Sequence, residues 1–305
     1  MTGFEGLSCS AAAAADIPLP GSATHVTGWL CVEHPGAWGR DVIGDEVLGP
    51  EITAELAAHT KAARVRPTLI RRPGRNESTG ARTVLLASSR PQGSWCERLE
   101  ITDLKQLLDL DLHLLNGPAP GIGVPVDDPV LVCAHGKRDL CCARLGRPIA
   151  ARLAAAHPDR VWECSHTGGH RFAPAVVLLP TGLTYGRVDG DGAVAAVAAA
   201  DRNAISLDGF RGRSCYTPVE QVAEIAVRER IPAAADDLTV ASPAASDAPI
   251  GDPTTFAGAA LVTHRDGRRW QVTAHTVAHA PRQASCGAAP KPATAVVADP
   301  PRELV

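Results

Sequence analysis

The chain has 305 residues, 45% of them apolar and only 4% aromatic, with a formal net charge of −3. That length suits one large or two ordinary domains with a sizeable core, and the small, dispersed charge gives no electrostatic case for nucleic acid or an anionic membrane. No segment reaches the ~18 uninterrupted apolar residues of a membrane span. The start, MTGFEGLSCSAAAAAD, carries no Lys or Arg ahead of its alanine run, so no secretory leader is expected and the protein is expected to be cytoplasmic.

Residues 1–24 are rich in Ala, Gly and Ser and are expected to be loosely ordered. HVTGWLCVEHPG (25–36) reads as a strand closed by Pro-Gly. GPEITAELAAHTKAARV (49–65) reads as an amphipathic helix with Ile52, Leu56 and His59 on one face. RPTLIRRPG and ARTVLLASS read as two strands around a polar turn, and ITDLKQLLDLDLHLL (101–115) as a further helix. NGPAPGIGVPVDDP is dense in Gly and Pro and reads as a linker, placing a domain boundary near 125. Residues 25–125 thus form an N-terminal α/β half.

The same rhythm returns over 126–204. VLVCA (130–134) reads as a short buried strand, and RPIAARLAAAHP (147–158) as a helix with Pro148 in its first turn, where a missing N–H is harmless. RVWECS reads as a strand, APAVVLLPTGLTYGRV as a strand pair turning at Pro-Thr-Gly, and DGAVAAVAAADRN as a helix. Strand, helix, strand, strand pair and helix is the thioredoxin-like order within an α/β class, a mixed sheet with helices on both faces. The N-terminal half follows a similar order and reads as a degenerate second copy. Over 205–280 the sequence predicts a Thr-capped helix at 217–231, a low-complexity linker at 232–253 and a hairpin around Arg-Asp-Gly-Arg. The Ala- and Pro-rich stretch 281–305 is expected to be disordered.

The nine cysteines are Cys9, Cys31, Cys96, Cys133, Cys141, Cys142, Cys164, Cys215 and Cys286. An odd number with no export signal argues against a disulfide framework, and Cys31, Cys96 and Cys215 read as small buried hydrophobes. Four of the nine fall between 133 and 164, in CAHGKRDLCC and ECSHTGGH, beside His135, His166 and His170. Thiolates and imidazoles together suit zinc, copper or iron–sulfur clusters rather than hard ions. Alternation along a strand lets Cys133 share a face with His135 and Cys164 with His166. Gly168 and Gly169 preclude a stable helix between His166 and His170, which excludes the helical two-histidine motif of metalloproteases. The pair of glycines instead permits close backbone approach to a bound group. His264, His275 and His279 read as exposed strand histidines rather than a second metal site.

CAHGKRDLCC followed by HTGGHRFA resembles the signature of the sucrase/ferredoxin-like family, thioredoxin-like ferredoxins with bis-histidinyl [2Fe–2S] coordination. Cys133, His135, Arg138, Asp139 and Cys142 fill its first part, and His166, Gly168, Gly169, His170, Phe172 and Ala173 its second. The resemblance implies that Cys133, Cys142, His166 and His170 ligate the cluster, with His135, Arg138, Gly168 and Gly169 around it. Cys141, adjacent to Cys142, and Cys164 lie outside the ligand pattern. It also implies an electron carrier or redox sensor working with a redox partner protein, rather than an enzyme with its own substrate. Nothing resembles the paired catalytic carboxylates of a glycosidase. Histidine in place of two thiolates removes negative charge and raises the reduction potential above that of plant-type ferredoxins. Two alternatives are a structural Cys2His2 zinc site with the same ligand set, and a thiol oxidoreductase using Cys141–Cys142 or Cys133, for which the C-x-x-C arrangement at a helix start is missing.

Overall fold

The computed structural model describes residues 6–74, 80–242 and 255–304. The first half of the chain contains α1 (Cys9–Ala14), β1 (Gly28–Glu33), α2 (Pro50–Ala63), β2 (Val65–Arg71), β3 (Arg82–Ser88), β4 (Trp95–Ile101) and β5 (Val124–Pro125). Next come β6 (Val130–Cys133), α3 (Leu140–Ala156), β7 (Val161–Cys164), β8 (Ala175–Leu178), β9 (Leu183–Gly186), α4 (Gly190–Ala200) and β10 (Phe210–Arg213). The remainder holds α5 (Pro218–Arg228), β11 (Leu238–Ala241), β12 (Phe256–His264), β13 (Arg269–Gln283), β14 (Pro290–Ala298) and β15 (Arg302–Leu304). Among the described residues no helix is long and apolar enough to cross a membrane. The expected α/β class is found.

The chain divides into two compact units. One comprises Val26–Gly168 with Ala173–Gly182 and contains a mixed sheet in the order β8-β6-β7-β2-β1-β3-β4-β5. Its N-terminal half runs β2-β1-β3-β4, with β1 parallel to β2 and antiparallel to β3, and β3 antiparallel to β4. Its C-terminal half runs β8-β6-β7, with β6 parallel to β7 and antiparallel to β8. The two halves thus share a first strand with a parallel partner on one side and an antiparallel partner on the other, but the N-terminal half has 3-10 turns where the expected order calls for a closing helix. The halves meet where β2 and β7 pair antiparallel, Ile70 opposite Cys164 and Arg71 opposite Glu163.

Both faces of this sheet are covered, which is why its inner strands read as unbroken apolar runs. Along β1, Trp29 and Cys31 enter one core while Leu30 and Val32 enter the other. The first of these cores spans both halves and gathers Cys31, Cys96, Cys133, Cys142 and Cys164 with Leu131, Trp162 and Val177. Helix α2 ends at Arg64 in the left-handed region, and its buried face is Thr53, Leu56, Thr60 and Ala63; His59, expected on that face, is exposed. The expected helix over 101–115 is replaced by two 3-10 turns, Leu104–Leu107 and Leu112–Asn116. Asp103 and Asp111 each cap their own turn by accepting a backbone N–H two residues on, a local bond that competes with a continuous helix. Glu97 on β4, almost fully buried, accepts the N–H groups of Gly121, Ile122 and Gly123 and so fixes the Gly-rich connection to the second half.

The second unit comprises Met1–His25, Gly169–Phe172 and Leu183–Val305. Its five-stranded antiparallel sheet runs β11-β12-β13-β14, with β15 also on β13, and α5 packs its apolar face into the same core as Val262, Trp270 and Val272. Within it Glu224, fully buried, pairs with both Arg213 and Arg228 at 3.0 Å. The disorder expected over 281–305 is not found in the described residues, because β14 pairs antiparallel along the long edge of β13. Nor is 1–24 uniformly loose: Cys9, Ala12 and Ala13 on α1 are buried, and Asp16 binds Arg282. Part of the expected linker 232–253 is β11, and 243–254 lies outside the described residues. His264 is buried rather than exposed, and His264, His275 and His279 each lie against carboxylates: Asp237 and Asp266, Asp299, and Asp16 respectively.

Candidate metal centre

Four elements of the first unit build the site: the end of β6, the start of α3, the end of β7 and the segment that follows it. The parallel pairing of β6 and β7 puts Cys133 in register with Cys164, and Ala134 N–H continues the ladder to the Cys164 carbonyl at 3.1 Å. After Cys133 the chain makes one tight turn, with the N–H groups of Arg138 and Asp139 both donating to the His135 carbonyl. Asp139 then caps α3, its carboxylate accepting the Cys141 N–H at 2.9 Å. The helix therefore begins at Leu140, not at 147 as the sequence suggested. Pro148 lies inside it, and Cys141 and Cys142 occupy its first turn, not a loop. The positive end of a helix favours a thiolate there.

This arrangement converges three side chains. Ligand atoms of Cys133, Cys142 and His166 all lie within 4.8 Å of one another, with both cysteines buried and His166 partly buried. The Cys133 thiol is pulled well below its ordinary range, chiefly by a hydrogen bond from Cys142 and also by His166 and the His135 backbone, against an opposing effect of burial. Cys164, next door, shows the contrary behaviour: burial and the nearby Cys133 push it well up, so it stays a neutral core thiol. It is not one of the three. The other thiol outside the expected set, Cys141, spends its N–H on the Asp139 cap while Cys142 turns to Cys133.

His166 is held by its backbone. Its N–H donates to Nδ1 of His135 at 3.2 Å, and its carbonyl accepts from Nη2 of Arg66 at 2.6 Å. The preceding Ser165 donates its N–H to the Leu69 carbonyl at 2.7 Å and accepts the Leu69 N–H on its hydroxyl at 2.9 Å. Strand β2 of the opposite half thus clamps the residue before His166. His135 itself uses both ring nitrogens on backbone: Nδ1 accepts from His166, and Nε2 faces the Gly39 carbonyl at 2.9 Å, which makes Nε2 the protonated nitrogen. Burial lowers its pKa, in keeping with a neutral ring, and Trp38 packs edge-on against it at 5.8 Å. His135 is a positioning residue for His166.

Arg138 lies 3.7 Å from Asp41. Gly168 and Gly169 adopt φ of +102° and +70°, conformations that favour glycine, and Gly168 closes the first unit. His170 opens the 3-10 turn His170–Phe172, which belongs to the second unit. Two contributors were not visible in the sequence. Arg66 and Ser165 act through backbone contacts that no spacing encodes. Gly146, in the middle of α3, did carry a signal, since a glycine inside a helix is unfavourable unless something must come close. A Cβ there would fall on the carbonyl oxygen of Cys133, so the glycine is what lets α3 lie against the end of β6.

The donor set fits a metal centre. Two buried sulfurs, one already favoured as thiolate, and an imidazole are the ligand types of zinc and of iron–sulfur clusters alike. A search of curated proteins and of solved structures finds no match. The model of the family described as sucrase/ferredoxin-like matches residues 19–212, a span that takes in every residue of this site. The chain belongs to the sucrase/ferredoxin-like family.

Proposed function

We propose that the protein is a [2Fe–2S] redox protein that carries electrons to or from a partner protein or senses redox state. Cys133, Cys142, His166 and His170 would hold the cluster. The observation that carries this reading is the convergence of Cys133, Cys142 and His166 within 4.8 Å, in a chain whose family is ferredoxin-like. When bound, such a cluster supplies one-electron transfer, at a potential raised by imidazole ligation relative to an all-cysteine site. The residues around it have separable tasks. Cys142 and His166 stabilise the Cys133 thiolate, and so lower the work of releasing its proton to admit a metal. His135 and Arg66 fix the backbone of His166 from either side. Gly168 and Gly169 let the chain after His166 take left-handed conformations that other residues rarely adopt.

The test is to purify the full chain without oxygen, record its visible spectrum and assay iron and acid-labile sulfide. The reading expects a red-brown protein with about two of each per chain. Stoichiometric zinc with no sulfide would instead establish a structural Cys2His2 site. A colourless, metal-free protein with an active thiol would establish an oxidoreductase.

A further inference from the structure

Beside the metal centre, on the side of His166 and His135, lies a cleft of about 360 Å³. Arg40, Arg66 and Arg138 line it, with Asp41 as the carboxylate among the lining residues. Asp41 is 3.7 Å from Arg138, a long and half-exposed pair. Among the lining side chains three guanidinium groups meet one carboxylate, around a cavity large enough for a molecule of several heavy atoms. The lining residues all belong to the first unit.

Cations concentrated around a cavity repel one another, and a protein whose net charge is −3 has no general surplus of basic residues to account for them. Arg66 is only partly exposed. One edge of its guanidinium is used on the His166 carbonyl. A guanidinium is a planar fork matched to the paired oxygens of a carboxylate or phosphate. The cleft thus has the charge, donor geometry and volume for a small oxyanion.

We propose that this cleft binds a small free oxyanion, a carboxylate or phosphate, against the His166 edge of the metal centre, with Arg40, Arg66 and Arg138 as its cationic partners. Nothing in this assignment depends on which metal the neighbouring thiols hold, so it stands or falls separately from the cluster reading.

The experiment is isothermal titration of the full-length protein, its metal content assayed beforehand, with inorganic phosphate and with malonate at constant ionic strength. A polyglutamate peptide forms the third arm. The expected result is saturable binding of phosphate or malonate that weakens about tenfold, some 1.4 kcal/mol, in Arg40→Gln and in Arg138→Gln. Arg98→Gln, which removes an exposed side-chain pair with Glu100 on β4, should leave the affinity unchanged. Arg40 is the cleanest probe, because it is exposed and its substitution leaves the contacts of the metal centre in place. Absence of saturable binding by either anion would overturn the proposal, as would binding that all the variants retain. Binding of the peptide alone would also overturn it, by assigning the arginines to a protein-docking surface.

Discussion

Two halves of one compact unit run nearly the same strand order, yet among the described residues only one gathers a candidate metal-ligand set of its own. Both place a parallel partner on one side of a first strand, an antiparallel partner on the other, and a helix in the crossover. They part at the end of that first strand. In the N-terminal half a long segment, 34–49, separates β1 from α2, and the last strand residue, Glu33, spends its carboxylate on the Thr83 N–H at 2.9 Å. In the C-terminal half only 134–139 intervene, so the first turn of α3 returns directly to the end of β6 and delivers Cys142 to Cys133. The thiols follow suit. Burial pushes Cys31 well up and Cys96 to about 12, whereas hydrogen bonds pull Cys133 down in spite of full burial. The lesson is that a short loop and a capped helix start, rather than cysteine content, turn this fold into a site.

The largest effect should come from the glycine that lets α3 approach. Gly146→Ala puts a methyl group on the Cys133 carbonyl oxygen, backbone that cannot rotate away, so helix and strand must separate. We expect about 3 kcal/mol of destabilisation by urea denaturation. In the N-terminal half Gly28→Ala would meet side chains alone, Val65 at 3.0 Å and Leu115 at 3.5 Å, and should cost well under half as much. Comparable losses for the two would mean that α3 is not held where the geometry puts it.

Next comes the seam between the halves. Arg71 donates twice to Glu163, at 2.9 and 2.8 Å, across the β2–β7 pair, and its guanidinium lies over Trp38. Arg71→Ala leaves a nearly buried carboxylate without its cation and should cost about 2 kcal/mol. A change below a few tenths in the denaturation midpoint energy would show the seam to be solvent-screened. A smaller loss, about 1–2 kcal/mol, is expected for Glu97→Gln, which sets an amide N–H2 against backbone N–H groups of 121–123. Limited proteolysis should then cut that connection faster, and unchanged cutting would count against Glu97 as its anchor.

Much of this architecture is legible in the sequence because buried strands announce themselves: GWLCVE, RTVLLAS and VLVC are apolar on both faces and fall where their runs predict. The candidate donors were legible because CAHGKRDLCC and HTGGH crowd cysteines and histidines together, while the choice of four among them came from the family resemblance. What was not legible depends on partners far along the chain. The leucines of 101–115 have a helical period, but Asp103 and Asp111 capture nearby N–H groups and break the segment into 3-10 turns. Pro148 looked like a helix start, and only the Asp139 cap places the true one seven residues before 147, which moves Cys142 from a loop onto the helix. The 290–298 stretch is weakly β-prone by itself and becomes a strand because β13 offers it a long edge. Arg66, reaching His166 from β2, has no local signature at all.

The smallest effect is a pH dependence in the half without the ligand set. Burial, and secondarily Arg82, lowers the pKa of His34 below its ordinary 6.5, so the folded state resists a proton that the unfolded chain accepts. Stability from this residue is fully present above 6.5 and declines as the pH falls through that value toward the folded pKa. Replacing His34 by Gln should flatten that slope in thermal melts recorded above and below 6.5. An unchanged slope would place the acid sensitivity elsewhere.

The most direct test of the central claim is matched thiol removal in the two halves, read as iron and acid-labile sulfide per chain in anaerobically purified protein. Cys133→Ser and Cys142→Ser should lose both iron and sulfide, while Cys31→Ser and Cys96→Ser, which change thiols of the same core by the same atom, should retain about two of each. Loss of the cluster in the Cys31 or Cys96 variants with retention in Cys142→Ser, or zinc without sulfide in the unmodified protein, would contradict the account.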